Sequence, residues 1–137
     1  MGFGIGSKEL IRDLNTIKYS TNPYNVNRMT MAAGIGALED GEYFRKNCET
    51  IMANRRWTTN ALRALGFELA DSLTNFVFAR HPSIGGGELY RALKERGILV
   101  RHFDSKRLTD YNRITIGSME EMEALAAALK EILEEKK

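Results

Sequence analysis

Hydrophobic positions recur three and four residues apart in some stretches of the chain and alternate in others. Leu10, Ile11, Leu14 and Ile17 form an apolar stripe that predicts a helix running through Tyr19. Ser7 stands where its cap belongs, with Glu9 near its positive end. Pro23 and the asparagines at 22, 25 and 27 stop that helix, so residues 20–27 are the best candidate for a hinge. A long helical region follows. It begins with Met29, Met31, Ile35 and Leu38, is interrupted at Asp40-Gly41, and resumes from Tyr43 to Leu65. Gly66 falls where a helix-ending left-handed residue is expected.

From Phe67 the pattern shortens. Phe67-Glu68-Leu69 and Asn75 to Ala79 alternate, which predicts two strands around a polar turn. A loop from His81 to Gly87 leads into a helix over 88–96, ended by Gly97. Two further strands are predicted over 97–103 and 112–118, separated by the polar turn 104–111. Ser118 and Glu121 then form a capping box before Met122, Leu125, Leu129, Ile132 and Leu133, with Lys136 and Lys137 at the negative end of the helix. The order predicts an α+β fold: a small mixed or mainly antiparallel sheet with helices packed on one face, preceded by a long helix. Residues 1–6 alternate with glycine and read as a small-residue strand. Ser7 replaces the third glycine of a dinucleotide fingerprint. One such strand and one helix cannot make a core, so this stretch expects a partner absent from the rest of the chain.

Composition narrows the function classes. The 137 residues fit one domain able to bury a core. Charged residues make up 28% and hydrophobic ones 43%, as in soluble globular proteins. A net charge of +2 is too balanced to argue for nucleic acid. No apolar run approaches a membrane span, and no leader is recognised. The single cysteine, Cys48, excludes an internal disulfide and is expected to be a small buried hydrophobe in a reducing compartment. His81 lacks a ligand cluster, so it is expected on a surface loop and no metal site is expected. Arg101 and Arg113 stand out, one inside each of the last two apolar runs. Two neighbouring strands could turn them into a fork for an anion. A plain solvent-facing position is the commoner arrangement for arginine.

Several stretches taken in order resemble one family: 22–27 (Asn-Pro-Tyr-Asn-Val-Asn), 62–67 (Leu-Arg-Ala-Leu-Gly-Phe), 72–78, 97–101, and 112–121 from Asn112 to Glu121. The family is histidinol-phosphate aminotransferase, within the fold-type I pyridoxal-phosphate aminotransferases. The resemblance covers essentially the whole chain but only the C-terminal part of a family member. It implies that residues 1–22 are a remnant of the large cofactor-binding domain and 23–137 the C-terminal small domain. It also implies a missing large domain that carries the lysine bonded to pyridoxal phosphate. Lys8 and Lys18 do not match that lysine's motif. The cofactor therefore belongs to the full-length parent, with none bound by this chain alone and no catalytic residue within it.

By the same resemblance, Arg113 holds the α-carboxylate of glutamate and helps hold the phosphate of histidinol phosphate. Arg101 matches a second substrate-anion arginine. Tyr24 and Asn25 lie at the hinge near the cofactor. The parent implied is a cytoplasmic homodimer that transfers an amino group between glutamate and imidazole-acetol phosphate in histidine biosynthesis. The alternatives are an aromatic amino-acid aminotransferase, a threonine-phosphate decarboxylase, or a non-catalytic module binding a small anion or a partner.

Overall fold

The structure is a computed structural model that describes every residue except Met1, Phe3, Pro23 and Lys137. Five helices and four strands follow in the order α1 (Lys8–Thr21), α2 (Arg28–Glu39), α3 (Gly41–Ala64), β1 (Glu68–Leu69), β2 (Phe76–Arg80), α4 (Gly86–Glu95), β3 (Arg101–His102), β4 (Asn112–Thr115) and α5 (Met119–Glu134). The chain divides into two compact units, residues 1–45 and 46–137.

In the first unit the caps act as expected. Ser7 Oγ accepts from the Leu10 N–H at 3.3 Å, and Asn27 Oδ1 accepts from the Thr30 N–H at 2.9 Å. Gly2 and residues 4–6 stand outside any strand, because no neighbouring strand offers them hydrogen bonds. Neither α1 nor α2 contains a buried residue. Leu10, Leu14 and Ile17 are more than half exposed.

The second unit holds every buried hydrophobic side chain among the described residues. Its sheet is antiparallel throughout, in the order β1-β2-β4-β3. Alternation turns Val77, Ala79, Ile114 and Ile116 to one face, where they join Leu89 and Leu93 of α4 and Met122, Leu125, Leu129 and Ile132 of α5 in a single core. The helices therefore cover one face and leave the other open.

Glycine ends α3 and α4 in the same way. Gly66 has φ +89° and Gly97 φ +77°. The N–H of Phe67 donates to the Leu62 carbonyl at 3.0 Å, and that of Ile98 to Leu93 at 2.9 Å, the outer hydrogen bond of a Schellman cap. This cap also corrects an expectation. The run 97–103 is not a continuous strand, because its first residues are spent closing α4, and only Arg101 and His102 pair in the sheet. The 112–118 run is trimmed likewise to 112–115, since Ser118 opens α5 with both hydrogen bonds of the expected capping box.

Three smaller expectations also change. Cys48 is only partly buried. His81 is no free surface histidine: its Nε2 lies 3.1 Å from the Leu65 carbonyl, its Nδ1 2.9 Å from Ser83 Oγ, and its ring meets Phe67 edge-on. A carbonyl only accepts, so this bond places the proton on Nε2. Lys136 lies beyond the last turn of α5 and pairs with Glu88 of α4, while Lys137 falls outside the described residues.

One prediction follows from this division. Residues 46–137 made alone are expected to unfold in one cooperative transition by near-UV circular dichroism and to remain monomeric by light scattering. The full chain should show a larger apparent mass, because α1 presents unburied apolar side chains. A 46–137 piece without tertiary signal would contradict it.

Candidate functional site

The open face of the sheet carries the candidate chemistry. Side chains two residues apart along a strand share a face. On this one lie Phe76, Phe78 and Arg80 of β2, Arg113 and Thr115 of β4, and Arg101 of β3, with Phe103 just beyond. Register pairs Arg101 directly with Arg113. The two arginines singled out by sequence are thus cross-strand neighbours. Both are exposed.

Like charges directly opposite one another weaken a strand pair. Neither arginine has a carboxylate partner among the described residues. Arg80, on the same face, provides the contrast. Two of its N–H groups donate to Oε2 of Glu68 at 2.9 and 2.6 Å, and this bonded carboxylate raises its pKa further above the usual arginine value. Of the three arginines on this face, Arg80 is paired with a carboxylate, and Arg101 and Arg113 have none among the described residues.

Sequence reasoning missed the aromatic floor. The Arg113 guanidinium carbon stands 5.4 Å from the centre of the Phe76 ring, and that of Arg101 stands 5.3 Å from Phe103. Phe78 stacks on Tyr111 at 4.7 Å and meets Phe103 edge-on at 6.1 Å. Arg80 lies 5.7 Å from the Tyr111 ring. The available signal was spacing: Phe103 follows Arg101 by two positions and Phe78 precedes Arg80 by two, the period at which side chains of an extended chain share a side.

The inner face fixes where β4 lies. Asn112, fully buried, donates from Nδ2 to the Gly86 carbonyl at 2.9 Å and so ties the start of α4 to the residue before Arg113. Gly86 is required there, since a Cβ would fall 2.6 Å from the Thr109 carbonyl oxygen. Asn54 of α3 reaches the Gly117 carbonyl at 2.9 Å and holds the other end of the β4 run. His102 has the opposite parity to Arg101. It turns inward against Tyr90 of α4, with Nε2 3.5 Å from Asp104.

The aminotransferase class I and II family matches residues 1–129 of this chain. The chain belongs to the class I and II aminotransferases. It is 41% identical over 133 residues to the histidinol-phosphate aminotransferase of Clostridium botulinum, covering 97% of this chain and 38% of that protein. It is 44% identical over 132 residues to that of Chromohalobacter salexigens, covering 96% and 38%. The histidinol-phosphate aminotransferase of Sinorhizobium meliloti, solved in complex with pyridoxal 5′-phosphate, superposes with a TM-score of 0.74 at 26% identity, covering 90% of this chain and 34% of that one. An L-threonine-O-3-phosphate decarboxylase from Porphyromonas gingivalis gives 0.68 at 26% identity, covering 95% and 40%. This aminotransferase chain thus spans about 38% of the length of the curated relatives named here.

The family's cofactor, pyridoxal phosphate, needs a lysine held against it in a pocket. Every described lysine of this chain is exposed, and Lys130 and Lys136 lean on surface glutamates. These lysines do not build such a pocket. Tyr24 and Asn25 belong to the first unit, where Tyr24 is 87% exposed and its N–H donates to Asn22 Oδ1. No described helix is long and apolar enough to cross a membrane, and no group of three metal-ligating side chains gathers among the described residues.

Proposed function

We propose that this chain is the C-terminal part of a pyridoxal-phosphate-dependent histidinol-phosphate aminotransferase. The parent transfers an amino group between glutamate and imidazole-acetol phosphate, in the cytoplasm and as a homodimer. Residues 1–22 belong with its large domain and 23–137 form its small domain. The observation that carries this reading is the pair Arg101 and Arg113, opposed across two strands with no carboxylate partner among the described residues. The histidinol-phosphate aminotransferases at 41% and 44% identity support the choice of reaction. Arg113 takes the α-carboxylate of glutamate and, in the other half-reaction, the substrate phosphate. Arg101 supplies the second anion contact, and Tyr24 and Asn25 line the hinge beside the cofactor. A guanidinium suits both anions because its N–H groups match carboxylate and phosphate oxygens in pairs. The chain alone is inactive.

The test is a chimera in which this chain replaces the matched stretch of the Clostridium botulinum relative. It is expected to transaminate imidazole-acetol phosphate with glutamate, while the 137-residue chain mixed with pyridoxal phosphate gives no turnover. The likeness to the threonine-phosphate decarboxylase favours a second reading, tested by the same chimera. Carbon dioxide released from threonine phosphate, without transamination, would replace the first reading by the second. Turnover by the chain alone would overturn its inactivity.

A further inference from the structure

We propose that Phe76 and Phe103 are positioning residues that aim the two arginines without discharging them. The proposal rests on reading Arg101 and Arg113 as anion contacts. The directions of the two contacts carry it. Phe76 lies opposite Thr115 in the register, so Arg113 leans toward the C-terminal end of β4. Phe103 follows His102, which lies opposite Asn112, so Arg101 leans toward the N-terminal end of β4. Side chains that start from directly opposed positions are thus drawn apart along the strand axis. The rings relieve the like-charge repulsion that register imposes.

The chemistry of the contact matters as much as its direction. A ring attracts a guanidinium through its face. The N–H donors lie in the guanidinium plane and stay available to oxygen atoms. A carboxylate would order the side chain too, but it would occupy those donors, as Glu68 does on Arg80. The face therefore holds two arrangements: Arg80 has a carboxylate in addition to the Tyr111 ring, whereas Arg101 and Arg113 have a phenyl ring and no carboxylate among the described residues. An arginine already ordered loses less rotamer freedom on binding, and that gain appears in affinity.

The experiment uses the full chain with labelled arginine side chains and inorganic phosphate as the probe. In the unaltered protein, ring currents should displace the guanidinium resonances of Arg101 and Arg113 from free-arginine positions, and phosphate titration should move both. Phe76→Leu should return the Arg113 resonance toward the free value and weaken its phosphate response about two- to fivefold, the scale of an exposed cation–π contact. Phe103→Leu should do the same for Arg101. Phe76→Met and Phe103→Met, which keep most of the bulk without the ring, should lose both properties, whereas Phe76→Tyr and Phe103→Tyr should keep them. Absence of ring-current displacement in the unaltered chain overturns the proposal. So does an unchanged phosphate response in the leucine variants while Arg113→Ala abolishes it. If phosphate moves neither arginine in the unaltered chain, the reading of the pair as anion contacts fails, whatever the ring currents show.

Discussion

Replacing Arg113 by alanine in the chimeric enzyme is expected to lower kcat/KM about ten- to a hundredfold. A charge-assisted hydrogen-bonded contact contributes roughly 1.5–3 kcal/mol, and each 1.36 kcal/mol is about a factor of ten in rate. Arg113 is the central charged group of the open face, between Phe78 on one strand and Arg101 on the other. Glutamate and histidinol phosphate should both suffer if, as proposed, one cation serves both half-reactions. Arg113→Lys should recover only part of the loss, since an ammonium cannot reproduce the planar pair of donors. Arg107, exposed in the turn between β3 and β4, is the control, and Arg107→Ala should change little. Equal and small effects at the two positions would make Arg113 an ordinary solvated strand residue.

Leu129→Ala is expected to cost about 2–5 kcal/mol of stability in the full chain, measured by urea unfolding. Leu129 is 0% exposed on α5 and belongs to the core cluster that includes Val77, Ile114, Leu89 and Leu93. Its removal leaves a cavity in a close-packed cluster that relaxes only in part. Leu99, an identical side chain 76% exposed, should tolerate the same change within about 0.5 kcal/mol. A loss at Leu129 no larger than at Leu99 would show that the helices do not hold the sheet as described. The site depends on this packing, because the buried side of β4 is the floor beneath Arg113.

Local rules made most of the second unit legible in advance. Gly66, Gly97 and the Ser118–Glu121 box marked three helix boundaries, because each acts through its own immediate neighbours. The strand expected over 97–103 fails for the same reason. Ile98 and Val100 are good strand formers, but the Ile98 N–H is committed to the Leu93 carbonyl, and propensity gives way to a hydrogen bond already made. Cys48 was read from apolar neighbours such as Phe44, which is itself 62% exposed, so helical spacing alone overstated its burial. The arginines were found by their odd placement in apolar runs. The register that sets them face to face depends on pairing between segments ten residues apart, and the rings beneath them depend on that register in turn. The carboxylate on Arg80 comes from β1, twelve residues earlier in the chain, and no short-range pattern announces it.

β1 and β3, the two edges of the sheet, are each only two residues long. An edge this short offers little unpaired backbone for a foreign strand to extend, so fibril growth by sheet templating has almost nothing to start from. Any clumping of this chain at high concentration should therefore proceed through the apolar side chains of α1 and α2. The products would be helical, reversible oligomers that dissolve on dilution, without the cross-β signature of amyloid.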